Sequence, residues 1–184
     1  MDGRQLLAIE SYREGVNGWE QRGNALHDVL EKMLIGSTMP GGIDSARGYE
    51  RFQDWIIELQ NCEIFQDAKV LASEYGLCDE EKSIGGSFDF LIKTAKGETI
   101  LGDLKTTSSL KAAKGRKPAT EQLGAYATML EHHHPTIKID KCCTLVLGPK
   151  ICRPIDQEPE KCKKAWADIW EDFEGLDREY GLDF

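Results

Sequence analysis

The chain has 184 residues, 40% of them hydrophobic and 30% charged, and a net charge of −9. That length supports one domain with a real core, and the composition is that of a soluble globular protein. No apolar run approaches the roughly 20 residues needed to cross a bilayer, and the acidity excludes a generally basic, phosphate-binding surface.

The first fifteen residues, MDGRQLLAIESYREG, contain no basic region followed by an apolar block. No secretory signal is expected, and the expected location is the cytoplasm. Leu26, Val29, Leu30 and Met33 recur at three- and four-residue spacing, which predicts a helix over Trp19 to Leu34. Glycines and Pro40 predict a loop over Gly36 to Ser45. Tyr49, Phe52, Ile56 and Leu59 then mark one face of a second amphipathic helix. Strand-like segments follow at about Ala68–Glu74, Ser87–Lys93 and Thr99–Thr106, the last two joined by a turn at Lys96-Gly97. Pro118 opens another helix, PATEQLGAYATML. Cys142 to Leu147, CCTLVL, is apolar but for Thr144, as a buried strand is. Glu158 to Tyr180 predicts a closing amphipathic helix bearing Trp166, Trp170 and Phe173. The order helix, helix, three strands, helix, strand, helix predicts an α/β (α+β) domain with a mixed central sheet flanked by helices.

Charge is unevenly spread. Lys105 to Lys117 carries Lys105, Lys111, Lys114, Arg116 and Lys117 with no acid, whereas the C-terminal segment is strongly acidic. The basic run reads either as a local phosphate contact or as a solvated loop. Six cysteines contain no Cys-x-x-Cys pair and are expected to be reduced and partly in the core. His132, His133 and His134 end a helix, where the dipole favours them, so a separate metal site is not expected there.

The chemistry concentrates in GGSFDFLIKTAKGETILGDLK, Gly85 to Lys105. Acids are disfavoured inside strands, and a buried carboxylate is costly unless paired or bound to a cation. Asp103 and Lys105, two apart, share a strand face. A hairpin about Lys96-Gly97 brings Asp89 towards Asp103, with Phe88 and Phe90 expected together on the opposite, buried side. Two oxygen ligands suit a hard cation such as magnesium, and a lysine beside them suits an anionic substrate. For Asp-x-Lys taken alone, an exposed Asp-Lys ion pair is the better explanation, since the motif is short.

Four motifs occur in order: RGNALH at Arg22–His27, GSFD at Gly86–Asp89, DLK at Asp103–Lys105 and QLGAY at Gln122–Tyr126. In this the chain resembles the PD-(D/E)xK nuclease superfamily, in the branch of RecB-type nuclease domains and CRISPR adaptation nucleases. The resemblance implies a single nuclease domain over residues 1–184 with a restriction-endonuclease-like core. It implies Mg2+ or Mn2+ held by His27, Asp89, Asp103 and the Leu104 carbonyl, with Lys105 ordering the attacking water. Glu74 matches a further acidic position, and Gln122 and Tyr126 would line the site and contact DNA. Lys111, Lys114, Arg116 and Lys117 would guide the DNA backbone. The implied activity is a metal-dependent DNA exonuclease acting on ends in recombination, repair or phage replication, alone, as a homo-oligomer or with a recombination partner. The alternatives are a CRISPR-type nuclease with an iron-sulfur cluster and a non-catalytic DNA-binding subunit. A cluster is not expected, because no cysteine precedes His27 and the spacing of Cys142, Cys143, Cys152 and Cys162 does not match.

Overall fold

The computed structural model describes residues 18–36 and 49–180. The N-terminal stretch and nearly all of the loop expected over Gly36–Ser45 lie outside those residues. Helix α1 (Trp19–Ile35) starts after Gly18 and buries Leu26, Val29 and Leu30. A 3-10 turn (Tyr49–Phe52) leads into α2 (Gln53–Gln60), which buries Ile56 and Leu59. Five strands follow: β1 (Lys69–Asp79), β2 (Ile84–Lys93), β3 (Thr99–Thr106), β4 (Lys141–Gly148) and β5 (Ile151–Gln157). Between β3 and β4 lie α3 (Leu110–Gly115) and α4 (Thr120–His133), and α5 (Pro159–Tyr180) closes the described chain. Among the described residues no helix is long and apolar enough to cross a membrane.

The strands form one mixed sheet in the order β1-β2-β3-β4-β5. Only β3 and β4 pair in parallel; the other neighbours are antiparallel. A parallel pair needs a long crossover, and α3 with α4 supplies it. One face of the sheet packs on α1 and α2 through Phe90, Ile92, Ile100, Leu104, Leu145 and Leu147. The other packs on α4 and α5 through Phe88, Leu91, Leu101 and Cys142. Coverage on both faces explains why β3 is buried from Thr99 to Leu104 and reads as nearly continuous apolar sequence.

Three expectations need correction. Leu110–Gly115 is a short helix, not a loop: the Ser109 hydroxyl accepts the Ala112 N–H at 3.2 Å, and Ala112-Ala113 favours a helical turn. Ile151–Gln157 is a strand that the periodicity does not reveal, because Pro154 interrupts it; as the outer strand it has no further neighbour needing that missing N–H. Phe88 and Phe90 do not share a side. Phe88 packs under α4 and Phe90 under α1 and α2, so the alternation breaks at Asp89.

Candidate active site

The β2–β3 ladder runs from Lys93↔Thr99 to Phe90↔Gly102 and stops. The next pair in that register is Asp89 with Asp103. There the strands part: β2 continues against β1, while β3 continues against β4. A fork of this kind leaves backbone groups of β3 without a strand partner, and buried N–H groups require one. The Asp89 carboxylate fills that need, its Oδ2 accepting the Leu104 N–H. The contact given to Leu104 is thus through its amide, and its side chain lies in the core.

Around this fork the fold gathers ionisable groups. His27 descends from α1, and its Nδ1–H donates to Asp89 Oδ1 at 2.9 Å while lying 3.7 Å from Glu74 Oε1. Glu74 sits in β1 between residues that face Phe88 and Phe90, hence across from Asp89. Its φ of 48° is left-handed, a conformation that strains a glutamate by roughly 1–3 kcal/mol. His27, Glu74 and Asp89 each offer a ligand atom, all within 4.8 Å of one another. Asp103 stands outside that trio, and its Oδ2 lies 2.7 Å from Lys105 Nζ. This contact is an ion pair rather than an aligned hydrogen bond, so the buried Oδ2 has no properly directed donor.

The electrostatics follow from burial. Asp89 and Asp103 are 5% and 2% exposed. Burial and the Asp89 charge push the Asp103 carboxyl up to about 6, against the pull of Lys105. Burial and Asp89 also raise Glu74. Burial pulls the His27 imidazole down, but its hydrogen bond to Asp89 and the surrounding carboxylates outweigh this and raise it. These atoms hold a proton or a cation between them, not both. A buried carboxylate oxygen without an aligned donor, beside a histidine and two further acids, fits a hard divalent cation.

On the α4 side of the sheet, Gln122 Nε2–H donates to the Tyr126 hydroxyl at 2.9 Å, as their spacing of one helical turn allows. Tyr126 lies against β2 at Gly86, where a Cβ would stand 3.0 Å from its ring. Burial raises the Tyr126 phenol, and the charges of Asp103, Asp89 and Glu74 raise it further. Lys111, Lys114, Arg116 and Lys117 are all exposed on α3 and the turn after it. Lys111, Arg116 and Lys117 line a cavity of about 750 Å³, and Lys114 lies outside its lining.

Residues that the sequence did not single out hold this region in place. Arg153 of β5 donates from Nη2 to the Ala113 and Arg116 carbonyls at 2.9 and 3.0 Å. The Trp55 indole donates to the Thr107 carbonyl at 2.8 Å. Both contacts bridge distant segments, so no local pattern marks them. The cysteines do not converge: Cys62, Cys143 and Cys152 pack on one face of the sheet and Cys142 with Cys162 on the other. Cys142 and Cys143 are neighbours in a strand and face opposite ways, so the thiols do not fit an iron-sulfur cluster.

No family model matches this chain, and no curated protein matches it. Among solved structures the chain is similar to the crystal structure of SSO0001, with 13% identity over 90% of this chain and 84% of that one, at a TM-score of 0.34. A likeness at that score supports no inference about fold or chemistry.

Proposed function

We propose that this protein is a metal-dependent deoxyribonuclease that hydrolyses phosphodiesters at DNA ends, with magnesium or manganese as its cofactor. The observation that carries the reading is the fork itself: Asp89 and Asp103 opposite one another, both buried, with Lys105 2.7 Å from Asp103 and His27 2.9 Å from Asp89. The ordered motifs RGNALH, GSFD, DLK and QLGAY support it.

His27, Glu74, Asp89 and Asp103 would hold the cation, which when bound polarises the phosphate and acidifies a water. Lys105 orients that water and offsets charge gathering on the phosphoryl oxygens. The water oxygen forms the new bond to phosphorus, the P–O3′ bond breaks, and the departing 3′ oxygen takes up a proton. The products are a 5′-phosphate and a 3′-hydroxyl. Tyr126 and Gln122 of α4 would contact the strand.

The test uses end-labelled linear DNA and closed circular DNA, incubated with protein and magnesium or manganese. Progressive loss of the linear substrate alone, reduced at least about 100-fold in Lys105→Ala and Asp103→Asn, is the expected result. Cutting of the circle moves the reading to an endonuclease. Failure to cut either, with no magnesium binding in calorimetry, favours a DNA-binding subunit without catalysis.

A further inference from the structure

Two cavities flank the fork, and they carry opposite charge. One lies where β3 ends and is lined by Thr107, Ser109, Lys111, Arg116 and Lys117. The other, about 560 Å³, lies along α1 and is lined by Asn24, His27, Asp28, Glu31 and Glu74.

The basic cavity is built onto the catalytic strand. Thr107 continues the parallel pairing of β3, its N–H donating to the Leu147 carbonyl at 2.8 Å. The Ala119 N–H, on the far wall, donates to Thr144 Oγ1 at 2.9 Å, and Thr144 faces Asp103 in the β3–β4 register. With Arg153 and Trp55 holding the turn between, the three cations stand on a braced wall at the carboxyl end of a parallel strand pair. Such ends are where open sheets receive ligands.

The acidic cavity begins where the metal-ligating trio ends. Glu31 lies one helical turn beyond His27 on α1, and its charge is felt at Glu74. A cation at the trio offsets the acids that bind it; Glu31 stays beyond. A phosphodiester placed over the basic cavity is attracted, and one placed over Glu31 is repelled, both within a Debye length of about 10 Å.

Resting on the nuclease reading, we infer that the sign change across Asp89 makes the site one-sided: a DNA strand is held by its phosphates over Lys111, Arg116 and Lys117 and must end near Glu31. End-dependence is then an electrostatic property of this fold and not a matter of size.

Binding alone tests this, without cleavage. A fluorescent single-stranded oligonucleotide, linear or circularised, is titrated with protein in EDTA and followed by anisotropy. The wild type is expected to prefer the linear form by about tenfold. Lys111→Ala with Arg116→Ala and Lys117→Ala is expected to weaken binding of the linear form at least about tenfold and to flatten the salt dependence by about two counterions, at roughly 0.7 for each phosphate contact. Glu31→Gln, and more strongly Glu31→Lys, is expected to reduce the preference for the linear form, Glu74 and Asp89 remaining uncompensated in EDTA. Equal affinity for both forms in the wild type, or a preference untouched by Glu31→Lys, overturns the inference even if the protein cleaves DNA. The expected pattern without cleavage in magnesium or manganese supports the inference and defeats the nuclease reading.

Discussion

Asp103 shows what a single buried acid costs and what it is positioned to do. It is almost inaccessible to solvent, and its folded pKa is near 6, against 3.8 when exposed. Between those values the folded protein keeps a proton that the unfolded chain has released. Stability therefore falls as pH rises through that window and is not regained above it. At 1.36 kcal/mol per pH unit, the ionised carboxylate costs the metal-free fold about 3 kcal/mol at neutral pH. His27 acts in a higher window: its pKa is raised, so the stability it contributes is present below about 6.5 and is lost as pH climbs past the folded value. Asp103→Asn is accordingly expected to gain stability over the wild type, by up to a few kcal/mol, as pH rises from about 4 to 6 in EDTA. Chemical denaturation at a series of pH values measures this, and a constant gap refutes it. Magnesium affinity is expected to tighten over the same range in the wild type, since the ligands must shed their protons first.

Among the elements, the contact of α4 with α5 tolerates no added atom at Gly124. A Cβ at Gly124 would stand 2.0 Å from the Cys162 carbonyl oxygen and 2.9 Å from Trp166 Cβ. The obstacle is backbone, which has no rotamer to change, so the helices must separate. Gly124→Ala is expected to cost roughly 3 kcal/mol, the upper end of overpacking penalties, read as a lowered denaturant midpoint. The loss also reaches the site, because α4 carries Gln122 and Tyr126. Elements with a strong period were legible in the sequence: α1 from Leu26, Val29, Leu30 and Met33, and β4 from its apolar run. Those missed were short or interrupted, α3 at six residues and β5 across Pro154. Strand β1 extends to Asp79 rather than ending near Glu74, because the left-handed Glu74 breaks the alternation in mid-strand without ending the pairing with β2.

Over the whole molecule the net charge of −9 works against DNA binding. If the protein acts on DNA as proposed, the exposed cations Lys111, Arg116 and Lys117 supply the attraction among the described residues. Three phosphate contacts at about 0.7–0.9 counterions each predict that the logarithm of affinity falls with the logarithm of salt with a slope of about −2 to −3. A slope of about −6 or steeper, measured by anisotropy, means that a second basic surface takes part. Neutralising Asp168, Glu171 and Asp172 on α5, which are all exposed, is expected to raise non-specific affinity a few-fold through the loss of long-range repulsion. Unchanged affinity sinks that idea.

The amino-acid sequence by itself determined the periodic elements, the mixed α/β class and the placing of Asp89 and Asp103 at the same end of the β2–β3 hairpin, because local period and one short turn suffice for these. Tertiary structure decided the rest. Only the divergence of β2 from β3 opens the fork that Asp89 caps. Only the packing of α1 over β1 sets His27 and Glu74 beside Asp89 while Asp103 turns to Lys105. The opposite charge of the two flanking cavities likewise depends on residues far apart in the chain. Distances between such residues are set by how the layers pack, and no local spacing records them.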